Sequence, residues 1–175
     1  EFVNTAEGLP IERSIIEELI PFIDGRFRTI PEKSGRAIDG FSMGGFGCLS
    51  VAFRNPEKFC AVVSYGAALT ITAKGRNYRD EAHFEEHDPW SIVRRNTDAI
   101  RNGVRVRMVC GDADYLYESN VKFKDLLGTL RIPVDWISVP GVAHNTMGLY
   151  EARGLESLQF LEETFALAAA GKPHA

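Results

Sequence analysis

The feature that most constrains the fold is Ser42, which has a glycine two positions before it and another two positions after it. Residues 36–41 read as a short apolar strand, and residues 46–53 carry apolar side chains at helical spacing. A tight turn between a strand and a helix strains the backbone of the serine, and it requires small residues at Gly40 and Gly44. The pattern therefore predicts an exposed serine hydroxyl at the carboxyl end of a strand.

The residue after the serine, Met43, is predicted to assist the chemistry. The N–H groups in the first turn of the following helix point back toward Ser42 and favour negative charge there. The Met43 N–H can therefore donate to the oxyanion that forms when Ser42 attacks a carbonyl carbon. A glycine-rich turn between a strand and a helix can also be purely structural, but the flanking pattern favours a nucleophile.

The rest of the chain alternates between predicted strands and predicted helices. Further strands are expected at residues 59–65, 104–110 and 134–139, and amphipathic helices at residues 10–24, 88–101, 119–130 and 155–165. This order indicates one doubly wound α/β domain over residues 1–175 with a mostly parallel sheet. Residues 70–87 are charged and aperiodic, so we interpret them as an excursion or cap in which His83 and His87 are solvated.

Two loops supply the partners that a serine nucleophile requires. Asp112 and Asp114 follow the third predicted strand, and His144 follows the fourth. The carboxyl ends of parallel strands gather at one edge of a sheet, and Ser, Asp, His is the chain order of hydrolases with a nucleophile elbow. We predict Ser42 as nucleophile, His144 as base and Asp114 as the acid that orients the base. Asp112 is the alternative acid, but its place beside the strand end better suits hydrogen bonds to loop amides.

Composition limits the partners and cofactors. The 175 residues carry a net charge of -4 with scattered Lys and Arg, so neither nucleic acid nor a membrane surface is an expected partner. The cysteines lie in apolar runs and are expected to be buried free thiols, at Cys48, Cys60 and Cys110. No Cys/His spacing is typical of zinc, and the predicted chemistry implies no metal and no organic cofactor. The sequence does not fix the localisation, although the absence of a signal peptide slightly favours the cytoplasm.

Four segments resemble the esterase D-like branch of the α/β-hydrolases, which includes feruloyl and acetyl-xylan esterases and enterochelin-esterase-like proteins. They are residues 18–23, residues 40–47, residues 110–114 with 117–120, and residues 140–144. The S-M-G-G-x-G form of the elbow is more specific than G-x-S-x-G alone. In that family the serine, the second aspartate of such a loop and the histidine form the triad, so the resemblance implies Ser42, Asp114 and His144.

The chain also departs from that family. Members have further strands before the first helix, including the loop that supplies the second oxyanion-hole amide. We therefore expect residues 1–175 to form the C-terminal catalytic portion of an α/β-hydrolase domain, apparently lacking the N-terminal strands. An uncovered sheet edge would favour a homo-oligomer. Asp39 stands where the family more often has a small apolar residue, and no tryptophan follows His144.

The expected activity is hydrolysis of carboxylic esters through an acyl-enzyme on Ser42. The substrate would be a small-molecule or carbohydrate-linked ester with a small or medium acyl group, such as acetyl or feruloyl. An acyltransferase of the mycolyl-transfer type is the alternative enzyme, because it shares the S-M-G-G turn and differs in excluding water. A non-catalytic binding domain, or one whose sheet a partner completes, is the alternative from another class.

Overall fold

A four-stranded parallel sheet forms the centre of the computed structural model, which describes residues 11–70 and 80–171. The strands lie side by side in chain order: β1 (Ala37–Phe41), β2 (Ala61–Tyr65), β3 (Arg105–Gly111) and β4 (Val134–Val139). Since every neighbouring pair is parallel, the four carboxyl ends lie along one edge of the sheet. The predicted α/β class with a parallel sheet is confirmed.

Helices cover both faces of this sheet. They are α1 (Ile11–Arg13), a π-helix (Ser14–Leu19), α2 (Ile20–Arg26), α3 (Met43–Arg54), α4 (Glu81–His87), α5 (Pro89–Arg95), α6 (Thr97–Gly103), α7 (Tyr117–Thr129) and α8 (Thr146–Ala169), with a short 3-10 turn at Lys33–Gly35. Helices α3, α5 and α7 pack in one core cluster, and α8 packs in a second cluster. The helices therefore enclose the sheet on two sides, as a doubly wound arrangement requires.

Alternate residues of the central strands belong to the two clusters. In β2, Val62 packs with the α3 cluster, whereas Val63 and Tyr65 pack with α8. All five residues of β2 are buried, because this strand has a neighbour on each side and helices on each face. The continuous apolar run at residues 59–65 therefore correctly predicted a fully buried strand.

The interpretation of residues 70–87 as an aperiodic excursion is wrong for its described part. Residues 71–79 lie outside the described residues, but residues 81–87 form α4, which the Asp80 side chain caps by accepting from the His83 amide. His83 and His87 are buried rather than solvated, at 7% and 1% exposure. Charged residues occupy the outer side of this short helix, and their density concealed the helical period.

Buried His87 lies within a polar cluster between three helices. Its Nε2 atom is 3.5 Å from Oε2 of Glu12 in α1, and Arg54 Nε in α3 is 3.2 Å from the other oxygen of that carboxylate. Ser50 Oγ donates to the His87 carbonyl at 2.7 Å. Burial lowers the pKa of His87 to about 4 and raises the pKa of Glu12. The cluster joins α1 and α4 to the helix that follows Ser42.

Two predicted helices differ in extent from the structure. Asp88 caps a helix that starts at the following proline, as predicted, but the helix stops at Arg95 and a new one begins at Thr97. Between them, Asn96 Nδ2 donates to Phe53 O at 2.8 Å, which fixes the break against α3. The helix predicted from residue 10 continues past Pro21, because that proline lies at the start of α2, where its missing N–H is not needed.

The C-terminal helix α8 packs only part of its predicted apolar face, which comprised Leu155, Leu158, Leu161 and Phe165. Leu155 and Leu158 are 71% and 65% exposed, whereas Leu161 and Phe165 pack against the second core cluster with Phe160. The helix also begins earlier than expected, because the Asn145 side chain caps it by accepting from the Gly148 amide at 3.2 Å. Within the described part of the chain, no helix has both the length and the apolar character to cross a membrane.

Candidate active site

Ser42 occupies the turn between β1 and α3 in a left-handed conformation, with φ 57° and ψ -114°. A Cβ at Gly40 would collide with the backbone of Gly44, which is why position 40 requires glycine. The Ser42 amide donates to Tyr65 O at 2.8 Å, and its carbonyl accepts from Ala68 N at 2.9 Å. The end of β2 therefore holds both backbone polar groups of Ser42, and the predicted strand, turn and helix are all present.

The structure brings the predicted triad residues together from three loops. The Ser42 Oγ atom lies 2.8 Å from Nε2 of His144, and His144 Nδ1 lies 2.7 Å from Oδ2 of Asp114. The Asp114 side chain is fully buried, and that of His144 is 19% exposed. This arrangement can pass the serine proton to the imidazole and stabilise the resulting imidazolium with a carboxylate away from water.

The two aspartates of the acid loop have different partners. Asp114 Oδ1 accepts from the Leu116 amide at 2.8 Å, so both oxygens of this carboxylate are held. Asp112 is exposed, and its Oδ1 accepts from the Gly141 amide at 2.7 Å. The geometry therefore matches the predicted division, in which Asp114 faces the imidazole and Asp112 joins two loops.

Two aromatic rings that the sequence did not indicate pack against the imidazole of His144. The Phe41 ring is centred 4.6 Å from it, and the Tyr115 ring is centred 4.8 Å from it. Tyr115 is 77% exposed, so it forms an open aromatic surface beside the reacting atoms. The available signal was sequence adjacency, since these residues precede Ser42 and follow Asp114, respectively.

Gly66, immediately after β2, was also missed. Its φ is +46°, and a Cβ there would lie 2.9 Å from Asp114 Oδ2 and 3.6 Å from His144 Nδ1. Gly66 therefore allows Asp114 and His144 to pack directly over the backbone. A glycine at the end of a buried strand was visible in the sequence, but the group that it accommodates was not.

Met43 is the first residue of α3, so its N–H belongs to the helical turn that has no acceptor within the helix. Its assignment as an oxyanion donor remains a prediction. The cysteines are buried and free, and burial raises the pKa of their thiols, that of Cys110 to about 12. Such thiols are protonated at neutral pH and are poor nucleophiles. Among residues 11–70 and 80–171, no cluster of His, Cys, Asp and Glu is arranged to hold a metal ion.

Sequence comparisons identify related proteins. A family model described as "Putative esterase" matches residues 10–131. Esterase Rv1288 of Mycobacterium tuberculosis (strain ATCC 25618 / H37Rv) is 41% identical over 161 aligned positions, and the match covers 72% of this chain and 34% of that protein. The chain therefore spans about a third of the length of this curated relative.

Structural comparisons find the same fold in solved structures. A ferulic acid esterase superposes with a TM-score of 0.80 at 24% identity, covering 94% of this chain and 64% of that one. FphF, a fluorophosphonate-binding serine hydrolase of Staphylococcus aureus, superposes with a TM-score of 0.76 at 21% identity, covering 91% and 66%. At these identities the likeness establishes the fold, which is that of the α/β-hydrolases.

Proposed function

The chain belongs to this esterase family of the α/β-hydrolases, and from that premise we propose that it hydrolyses carboxylic esters with Ser42, His144 and Asp114 as its catalytic triad. The observation that carries the proposal is the continuous hydrogen-bonded path from Ser42 Oγ through both ring nitrogens of His144 to the buried Asp114 carboxylate. A serine hydroxyl gains nucleophilic character only when such a base accepts its proton.

The reaction proceeds in two halves. Ser42 Oγ attacks the ester carbonyl carbon while His144 Nε2 takes the hydroxyl proton, and the Met43 N–H donates to the oxyanion. The tetrahedral intermediate collapses, the alcohol leaves with the proton from His144, and the acyl group stays on the serine. Water then attacks this acyl-enzyme with the same base, which releases the acid and restores Ser42. Asp114 fixes the imidazole tautomer and stabilises the imidazolium in both halves.

We propose esters with a small or medium acyl group, such as acetyl or feruloyl, as substrates, on a small-molecule or carbohydrate alcohol. Two observations favour this class. A ferulic acid esterase has a similar fold, which supports an aromatic acyl group as a candidate. The exposed ring of Tyr115 beside His144 offers an aromatic surface for such a group to stack upon.

Pre-steady-state hydrolysis of p-nitrophenyl acetate tests the proposal. We expect a burst of one p-nitrophenolate per active site, loss of the burst in Ser42→Ala, and an unchanged burst in Ser34→Ala, which alters a serine outside the site. Steady-state hydrolysis by Ser42→Ala at the same rate as by the wild-type protein would contradict the proposal. Ester formation with an added alcohol, without release of free acid, would indicate an acyltransferase, and a folded protein without burst or turnover would indicate a binding domain.

A further inference from the structure

Asn120 is a buried polar residue near the start of α7 that the proposed mechanism does not use. It is 1% exposed, and its side-chain amide makes a pair of hydrogen bonds to one residue in the loop after β2. Its Oδ1 accepts from Ala67 N at 3.1 Å, and its Nδ2 donates to Ala67 O at 2.9 Å. The second Nδ2 hydrogen completes the set by donating to Leu116 O at 2.9 Å.

These partners place Asn120 between the loop after β2, which is bonded to Ser42, and the loop that carries Asp114. Ala67 immediately precedes Ala68, whose amide donates to the Ser42 carbonyl at 2.9 Å. Leu116 carries the amide that donates to Asp114 Oδ1 at 2.8 Å. Each end of the Asn120 amide is therefore bonded to a residue that, directly or through its neighbour, contacts the triad.

The loop after β2 has little freedom to move without disturbing the site. The Ala67 Cα atom approaches the first turn of α3 so closely that a Cβ at Gly45 would lie 2.9 Å from it. The residue before it, Gly66, lies directly beneath the Asp114 carboxylate. A shift of Ala67 would therefore be transmitted both to the turn that carries Ser42 and to the acid.

The geometry points to Asn120 as a positioning residue that holds the Ser42 turn and the Asp114 loop at the separation at which His144 bridges them. This inference rests on the proposed function, because it assigns Asn120 a role in the same site. Asn120 acts through Ala67 and Leu116 and does not itself contact the triad. A misplacement of about 1 Å far from the reacting atoms can cost up to about a hundred-fold in rate.

A buried asparagine can also serve stability alone, and the chain contains a matched control for that possibility. Asn96 is another asparagine whose Nδ2 joins two elements, since it donates to Phe53 O at 2.8 Å. Asn96 is half-buried and lies between α5 and α6, and Phe53 lies at the opposite end of α3 from Ser42. Asn120→Ala and Asn96→Ala both remove a side-chain amide, but only the first removes one that joins the loop after β2 to the loop of Asp114.

Steady-state kinetics well below the melting temperature of each variant provide the first readout. We expect Asn120→Ala to lower kcat for p-nitrophenyl acetate by roughly ten- to a hundred-fold with little change in KM, because the substrate surface remains while the reacting groups lose alignment. Asn96→Ala should lower the melting temperature and leave kcat unchanged. Equal kcat losses in the two folded variants would overturn the inference.

The second readout requires no turnover. The proton between His144 Nδ1 and Asp114 Oδ2 should give a far-downfield NMR resonance, assigned by its absence in His144→Gln. We expect this resonance to shift upfield or broaden in Asn120→Ala and to be unchanged in Asn96→Ala. A wild-type resonance in Asn120→Ala would overturn the positioning role. A wild-type protein with this resonance but neither turnover nor a burst would instead overturn the proposed function, so the two failures are distinguishable.

Discussion

The carboxylate of Asp114 and the imidazole of His144 share a 2.7 Å hydrogen bond, although they lie on different loops 30 residues apart. The loops meet because β3 and β4 are adjacent parallel strands that end at the same edge of the sheet. The same edge carries the β1 to α3 turn, which presents Ser42 to the other ring nitrogen. The three side chains are distant from one another in sequence, and the order of the parallel strands brings them together.

Asp114→Asn should reduce ester turnover far more than Asp112→Asn. An asparagine at position 114 would leave the imidazole in the wrong tautomer, and the equivalent change in a serine protease costs about ten-thousand-fold. Asp112→Asn keeps an oxygen that can accept from the Gly141 amide, so it should cost little. Measurement of kcat for both folded variants checks this, and a larger loss in Asp112→Asn would refute the assignment of the acid.

Gly66→Ala should impair catalysis although it adds only one methyl group. The new Cβ would lie 2.9 Å from Asp114 Oδ2, and the φ of +46° is unfavourable for alanine. We expect a large fall in kcat and a loss of roughly 1 to 2 kcal/mol in the free energy of unfolding. Gly128→Ala is the matched control, since a Cβ there meets no atom within 4 Å. Wild-type turnover by folded Gly66→Ala would contradict this role.

The fold and the location of the site could be predicted because both depend on local patterns. The apolar run of β2 and the glycines around Ser42 each determine the structure of their own short segment of the chain. The placement of Asp114 and His144 needed only the rule that parallel strands share an edge for their carboxyl ends. Each of these inferences requires the order of the elements but no knowledge of side-chain packing.

Contacts between loops could not be predicted in the same way. The approach of Gly66 to Asp114 and the bonds from Asn120 to Ala67 depend on strand register and loop path, which no local pattern encodes. The burial of His87 was missed because α4 is only seven residues long and mostly charged on its outer side. His87 is covered by residues of α1 and α3, and these helices are distant from α4 in sequence.

His87 should make the protein less stable in mild acid. Its pKa is about 4 in the folded state against 6.5 for an exposed histidine, with burial as the main cause. At a pH between these two pKa values, the His87 imidazole is protonated in the unfolded chain and neutral in the folded chain. The contribution of His87 to the free energy of unfolding is therefore complete above pH 6.5. It falls toward pH 4, by at most about 1.4 kcal/mol per pH unit.

Chemical denaturation of wild type and His87→Gln at pH 8, 6 and 5 isolates this contribution. Glu12 has the opposite sign, since burial raises its pKa and its protonation favours the folded state as the pH falls. Both proteins contain Glu12, so the difference between their free energies of unfolding reports on His87 together with its 3.5 Å contact to Glu12. We expect wild type to lose stability relative to the variant on acidification, and a pH-independent difference would contradict the effect.

We propose that the protein associates through the side of the sheet that ends at β1, one of the two edge strands among the described residues. A groove of about 310 Å³ runs beside this strand and is lined by Leu19 and Ile30, which are 53% and 61% exposed. Leu19→Lys with Ile30→Lys should shift sedimentation toward monomer, because charge in this groove opposes burial. Leu155→Lys alters a leucine on α8 that is 71% exposed and should have no effect. A wild-type monomer at all concentrations would refute the proposal.

Labelling by a fluorophosphonate probe, followed by peptide mass spectrometry, identifies the hydroxyl that acts as the nucleophile. Such a probe forms a stable bond only with a serine whose hydroxyl is activated by a neighbouring base. We predict that the label appears at Ser42 alone, that Ser42→Ala is unlabelled, and that His144→Gln is labelled far more slowly. A folded wild-type protein that remains unlabelled, or labelling that persists at another serine in Ser42→Ala, would contradict the assignment of Ser42 as the nucleophile.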